Sequence, residues 1–143
     1  LAELALLQRL RGWGLPVPRP AAARCVPAGP LHYRADILLQ RLPGAEDLSQ
    51  QLQRGPLSAE AWRAVGAAIG GLHAAGVWHA DLNCHNLMRD AQGRVWIIDF
   101  DRCAVRAPGP WARENLERLR RSLRKEAGRL AAWHWAEADW AAL

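Results

Sequence analysis

Residues 79–86 read HADLNCHN, and thirteen positions after Asn86 a second carboxylate, Asp99, stands in the run IIDFD. Between them lie two short apolar runs, LMR and RVWIID, separated by DAQG, a turn sequence ending in glycine. This order constrains the fold more than any other feature. A strand leaving Asn86, a tight turn and a returning strand must bring Asp99 back beside the loop that the chain has just left. Asp81 at the start of that loop and Asn86 five residues on can face one cleft, with Asp99 meeting it from the other side.

Two chemistries use such residues. His79, Cys84, His85 and Cys103 are valid zinc ligands, but they make neither a C-x-x-C nor an H-E-x-x-H spacing. Cys84 and Cys103 read as buried apolar fillers. His85 either faces a substrate or fills the loop, and both readings stand. Phosphoryl transfer instead needs a carboxylate to orient an attacking hydroxyl and hard oxygen ligands for magnesium, which keeps several of its waters. HADLNCHN fits the pattern H-x-D-L-x-x-x-N. On that reading Asp81 accepts the proton, Asn86 and Asp99 bind Mg2+, and His79 braces the loop.

The rest of the chain predicts one mixed α+β unit. LAELALLQRLRGWG is a short helix with Leu4, Leu7 and Leu10 on one face, ended by glycines before Pro16. After the extended PVPRP, the runs AARCV and RADILLQR predict a hairpin about PAGP. EDLSQQLQ is helical, and a second helix runs from an N-cap at Ser58 to about Ala75, with Gly76 as its stop. In the last third Leu116, Leu119, Leu123, Ala127 and Leu130 form one stripe, and Arg118, Arg121, Lys125 and Arg129 fall opposite.

Three cysteines without paired spacing suggest no disulfide framework, no apolar run is long enough to span a bilayer, and no positively charged segment followed by an apolar run opens the chain as a leader would, so the cytoplasm is the default compartment. The net charge is +5, carried by eighteen arginines and one lysine, a balance suited to bidentate contacts with carboxylates or phosphates. Those residues are not interleaved with aromatic platforms, so no nucleic acid partner is expected.

The segments GLPVPRP, YRADILLQRLPGA, HADLNCHN, IIDFDR and GPWARENLERLRRSLRK resemble the Kdo (3-deoxy-D-manno-octulosonic acid) kinase family of lipopolysaccharide biosynthesis, within the protein-kinase-like superfamily. The resemblance covers nearly all of the chain. It implies a protein-kinase-like fold, with a partial N-terminal lobe over residues 1–41 and a mainly helical catalytic lobe over 42–143. It implies ATP-dependent phosphorylation of a Kdo hydroxyl on a lipid A precursor, at the cytoplasmic face of a Gram-negative inner membrane. It also implies that Glu3 is the ion-pair glutamate, that Gln40 to Leu42 form the hinge contacting adenine, and that Met88 lies under the base. Asn83 stands where protein kinases usually carry a lysine near the transferred phosphate.

Three departures bear on this resemblance. No glycine-rich loop or strand lysine is present, the only lysine being Lys125, so the chain reads as a piece of a fuller kinase that is inactive alone. Asp101 replaces the glycine of D-F-G, where it is expected to pair with Arg102 or Arg106. Few residues separate Asp101 from the next helix, which leaves no room for an activation segment and favours a small or lipid-linked acceptor. An aminoglycoside-type phosphotransferase and a nucleotide-binding fragment without activity are the alternatives. The basic face of the last helix reads either as a solvated surface or as attraction to an anionic membrane. Trp133, Trp135 and Trp140 read as core or as interfacial anchors.

Overall fold

Capping residues, turns and apolar periodicity alternate along the chain. In the computed structural model, which describes residues 2–30 and 32–143, they become four α-helices, one 3-10 helix and three small antiparallel sheets among the described residues. Leu1, which opens the first expected helix, and Leu31, which lies between the two expected strands, are outside the described residues.

Helix α1 (Ala2–Gly12) turns Leu7 and Leu10 inward. Strands β1 (Pro20–Pro27) and β2 (Tyr33–Leu39) pair with each other, from Pro20 opposite Leu39 to Pro27 opposite Tyr33. Nearly all of β1 is exposed, and Tyr33 and Leu38 keep 64% and 67% of their surface in solvent. Such a ribbon presents both an apolar face and unpaired strand edges, a recognised site of association.

Next comes the two-residue strand β3 (Glu46–Asp47), followed directly by helix α2 (Leu48–Arg54). Asp47 starts α2 with a capping box: its carboxylate accepts from the Gln50 amide at 2.8 Å, and the Gln50 side chain accepts from the Asp47 amide at 3.1 Å. Helix α3 (Ala59–Ala74) begins at Ser58, whose hydroxyl accepts from the Ala61 amide at 3.1 Å, as its sequence predicts. Gly76 then adopts φ +76° against the Arg106 carbonyl and turns the chain into β4 (Val77–Trp78).

Strands β5 (Leu87–Arg89) and β6 (Val95–Ile97) form the expected hairpin. Asp90 closes it, its carboxylate accepting from the amides of Gln92 at 3.0 Å and Arg94 at 2.9 Å, with Gly93 at φ +79°. Strand β3 adds to the outside of β5, and β7 (Ala104–Val105) pairs with β4; neither β3 nor β7 is expected from the sequence.

Helix α4 (Trp111–Ala127) is rotated from the expected stripe. Leu119 and Leu123 are buried as expected, but Ala127 is exposed, Leu116 is only half-buried and Leu130 lies beyond the helix end. Asn115 and Glu126 take the inward positions instead, at 3% and 5% exposure. Hydropathy does not rank them as core residues. Each is buried because it finds a partner there, which removes most of the penalty of desolvating a polar group.

One hydrophobic cluster joins Leu7 and Leu10 of α1, Leu48 and Leu52 of α2, Trp62, Val65, Ile69 and Leu72 of α3, the hairpin residues Leu87, Val95 and Ile97, and Leu119 and Leu123 of α4. Trp135 belongs to it, and Trp133 and Trp140 pack against it. The chain's last residues, with the 3-10 helix Glu137–Ala142, close over α3 at Gly66, where an added Cβ would collide with the Leu143 carbonyl oxygen. No helix among the described residues is long and apolar enough to cross a membrane.

Candidate active site

The loop from His79 to Asn86 leaves β4 and enters β5 with most of its amides satisfied. Asn115 of α4 holds the His79 peptide at both ends, its Oδ1 accepting from the His79 amide at 3.1 Å and its Nδ2 donating to the His79 carbonyl at 2.9 Å. The Ala80 amide donates to Cys103 Sγ at 3.3 Å, and the Cys84 amide to Ser122 Oγ at 3.0 Å. Leu48 at the start of α2 donates to the Cys84 carbonyl at 3.2 Å. The loop is therefore strapped to α2, α4 and the segment after β6. Burial pushes the Cys84 and Cys103 thiols up to about 11, so both are neutral packing groups at ordinary pH.

His79 is fully buried, with its ring edge-on to Phe100 at 5.1 Å between centroids. Its Nδ1 accepts from the Asp81 amide at 3.2 Å, so Nε2 carries the proton and donates to the Ile98 carbonyl at 3.0 Å. Loop and returning strand are thus tied through one neutral imidazole. Burial lowers the His79 pKa below its ordinary 6.5, outweighing the Ile98 hydrogen bond and the carboxylates of Asp99 and Asp81. Burial lowers His73 in the same way, against its contact with Asn115.

A histidine depressed in the folded state is protonated first in the unfolded chain. Its stabilisation is complete above pH 6.5 and is lost as pH falls from there towards the folded value. We expect the melting temperature to fall between about pH 6.5 and 5, and to fall less steeply in His79→Gln than in the unaltered chain. Calorimetry across that range reads both slopes, and equal slopes would show that His79 does not titrate with unfolding.

The carboxylate of Asp81 is half-exposed. It accepts from Asn83 Nδ2 at 3.0 Å and from Arg118 Nη1 at 3.0 Å. Exposed pairs of this sort contribute only about 0.2–1 kcal/mol, so Arg118 can leave. Asn83 Oδ1 accepts from the His85 and Asn86 amides at 2.9 and 3.2 Å, which makes Asn83 a turn-former with its amide turned to Asp81. Asn86 Nδ2 donates to the Asp81 carbonyl at 2.9 Å. That bond fixes the orientation of the amide and leaves Asn86 Oδ1 without a donor among the described residues.

Leu87 is opposite Ile97 and the Ile98 amide donates to the Asn86 carbonyl at 3.0 Å, so Asn86 and Asp99 lie at the same end of the hairpin. Asp99 sits in the left-handed region at φ 62°, which aspartate tolerates, and its carboxylate has no partner among the described residues. Two uncommitted oxygens, one amide and one carboxylate, are hard donors that fit Mg2+. Among the described residues no three His, Cys, Asp or Glu side chains converge to hold a metal, so such an ion would keep most of its shell from water or substrate.

Beside Asp99 the left-handed positions are 99 and 102, at φ 62° and 58°, and Asp101 is not among them. The missing glycine at position 101 therefore causes no backbone strain. Asp101 lies 3.5 Å from Arg102, while Arg106 stacks over Trp78 at 3.5 Å from the ring centre. Glu3 of α1 reaches the same corner. Burial first, then the charges of Asp101 and Asp99, hold its carboxyl above the ordinary range, and among the described residues it has no basic partner.

Gln40 and Leu42 lie elsewhere, in a cavity of about 400 Å³ shared with Asp90, Arg94 and Trp96 at the turn end of the hairpin. The Gln40 amide is committed to the Arg19 carbonyl at 2.7 Å and the Leu42 carbonyl accepts from Ala45 at 3.2 Å. This leaves the Gln40 carbonyl and the Leu42 amide without backbone partners among the described residues, one acceptor and one donor two positions apart. Met88, on the same face of β5 as Asn86, lies between the two ends.

The contribution of α4 is not expected from the sequence. Asn115 and Arg118, 36 and 37 residues from their loop partners, are the side chains that hold His79 and Asp81. An asparagine four residues from Trp111 and four from Leu119 was the one available signal.

A model of the lipopolysaccharide kinase (Kdo/WaaP) family matches residues 1–143. The chain is 46% identical over 142 residues to the 3-deoxy-D-manno-octulosonic acid kinase of Vibrio vulnificus strain CMCP6, covering 99% of this chain and 59% of that protein. The protein of the same name from Vibrio parahaemolyticus is 47% identical over 141 residues, with 99% and 58% covered. That from Haemophilus influenzae strain 86-028NP is 43% identical over 147 residues, with 99% and 60% covered. The chain thus spans about three fifths of the length of the curated relatives it matches.

Proposed function

The chain belongs to the lipopolysaccharide kinase (Kdo/WaaP) family, and from that premise we propose that it forms the catalytic part of an enzyme transferring phosphate from ATP to a Kdo hydroxyl on a lipid A precursor. The observation that carries this reading is the convergence of Asp81, Asn86 and Asp99 at one end of the β5–β6 hairpin. In this reading the fold is protein-kinase-like. Residues 1–41 belong to an N-terminal lobe and 42–143 to the catalytic lobe, and the acceptor places the enzyme at the cytoplasmic face of the inner membrane.

The Gln40 carbonyl and the Leu42 amide match the donor and acceptor edge of adenine, and Met88 supports the ring from below. Asn86 Oδ1 and Asp99 hold Mg2+, which when bound neutralises charge on the nucleotide phosphates. Asp81 orients the acceptor hydroxyl and takes its proton as the oxygen bonds to the γ-phosphorus and the bond to ADP breaks. Asn83 steadies Asp81 from the side facing away from Arg118. Glu3 supplies the negative partner for a cation at the same corner. Without a glycine-rich loop or strand lysine, the 143 residues alone are expected not to turn over.

The wall beside Asp81 separates this reading from aminoglycoside phosphorylation. Arg113, Arg118, Arg121, Lys125 and Arg129 line it against Glu114, Glu117 and Glu126, and a surface with this excess of cations favours an anionic glycolipid over a polycation. The test is a transfer assay on the full-length protein with Mg·ATP, offering a Kdo-bearing lipid A precursor, neutral free sugars and aminoglycosides in parallel. Transfer to the Kdo acceptor alone is expected. Transfer to an aminoglycoside, or to none of the acceptors, would overturn the assignment.

A further inference from the structure

Two hollows of about 500 and 560 Å³ flank the Asp81–Arg118 pair and share Arg118 and Arg121 in their walls. Trp78, Ala80 and Arg113 also line the first, with Glu114 and Glu117; Asn83, His85 and Lys125 also line the second, with Glu126 and Arg129. The cations of α4 and the residues just after it are sorted by where they point. Away from the loop, Arg120 donates to Glu137 at 2.7 Å and Arg124 pairs with the same carboxylate. At the rim, Arg129 pairs with Glu126 at 3.0 Å. Arg113, Arg121 and Lys125, which line the hollows, have no carboxylate within pairing distance among the described residues. The second hollow is positive in effect, because the carboxylates of Asp81 and Glu126 are both already met by arginine.

We infer that Arg121 and Lys125, joined by Arg118, form an anion subsite for the acceptor, and that Arg118 is a latch that leaves Asp81 for the acceptor's anionic group, freeing Asp81 for the hydroxyl. The inference rests on the proposed kinase function. Arg118 reaches Asp81 through a single Nη1 at 3.0 Å, whereas a carboxylate or phosphate can engage a guanidinium by two parallel bonds. An acceptor with such a group therefore competes well for Arg118, and a neutral sugar does not. The group recognised is an anionic oxygen pair near the reacting hydroxyl, from either the sugar-acid carboxylate or a lipid phosphate.

The test uses the full-length protein and three acceptors: Kdo-lipid A precursor, its Kdo methyl ester, and the precursor with its lipid phosphates removed. Arg121→Ala with Lys125→Ala is expected to raise the acceptor KM at least tenfold while the ATP KM stays within twofold. One modified acceptor should lose at least that factor with the unaltered enzyme and markedly less with the double variant, in which only Arg118 remains to meet the anion; which one does so identifies the anion. For the latch, Arg118→Met is expected to lower the preference for the anionic acceptor over its neutral counterpart at least tenfold, a ratio that a structural role would leave unmoved. An unchanged acceptor KM in the double variant, or an unchanged ratio in Arg118→Met, overturns the inference. An unaltered enzyme that phosphorylates no Kdo acceptor overturns the functional reading instead.

Discussion

Asp81→Asn in the full-length protein is expected to lower phosphate transfer by about 10³-fold or more, within the usual range for removing a positioned general base, with ATP binding intact. The geometry separates the two effects. The loop is held by backbone groups of residue 81, whose amide donates to His79 Nδ1 and whose carbonyl accepts from Asn86, and neither bond involves the carboxylate. The replacement amide keeps the volume and one acceptor oxygen, so the Asn86 and Asp99 oxygens stay in place. What is lost is the group proposed to take the proton. ADP release measured at saturating acceptor, beside titration with a fluorescent nucleotide, distinguishes the outcomes. A variant that keeps turnover within tenfold would remove Asp81 from the mechanism.

The largest structural loss is expected at Asn115. In Asn115→Leu the buried His79 amide and carbonyl lose their only partners among the described residues, and each stranded group costs about 1–3 kcal/mol. Leucine recovers part of this through apolar burial, so a net loss of about 2–5 kcal/mol is expected. For a domain of this size that lowers the melting temperature by roughly 5–15 °C. Chemical denaturation of the 143-residue chain measures the first and calorimetry the second; a loss below about 1 kcal/mol would mean that water replaces the clamp. A stabilised variant whose full-length form has lost transfer would instead show that Asn115 matters to the position of the loop rather than to stability.

Much of the α+β architecture was legible because its signals are local. The Ser58 cap, the glycine stop at 76 and the LMR–DAQG–RVWIID hairpin each depend on residues within a few positions of one another. Strands β3 and β7 have two residues each and so carry no periodicity; they exist because β5 and β4 offer them open edges. The basic helix was legible only as a class of surface. Its sequence shows seven cations, but not that Arg120 and Arg124 meet Glu137 while Arg121 and Lys125 stay open beside the loop. The tryptophans after it pack on the core, with Arg120 over the Trp140 ring at 5.4 Å.

The sequence by itself determined which chemistry-bearing residues this protein has and that Asn86 and Asp99 share one end of a hairpin, because strand, turn and strand leave the chain no other course. Tertiary structure alone decided what surrounds them. Which face of α4 turns inward depends on Asn115 finding His79, 36 positions back, whereas Glu126 takes its hydrogen bond from Arg129 nearby and comes to lie 3.6 Å from His85. That Asp81 meets Arg118 follows from the same rotation. Hydropathy ranks each side chain by its own transfer energy, whereas a polar residue is buried for the energy of the pair it makes, and that pair exists only once the chain has folded.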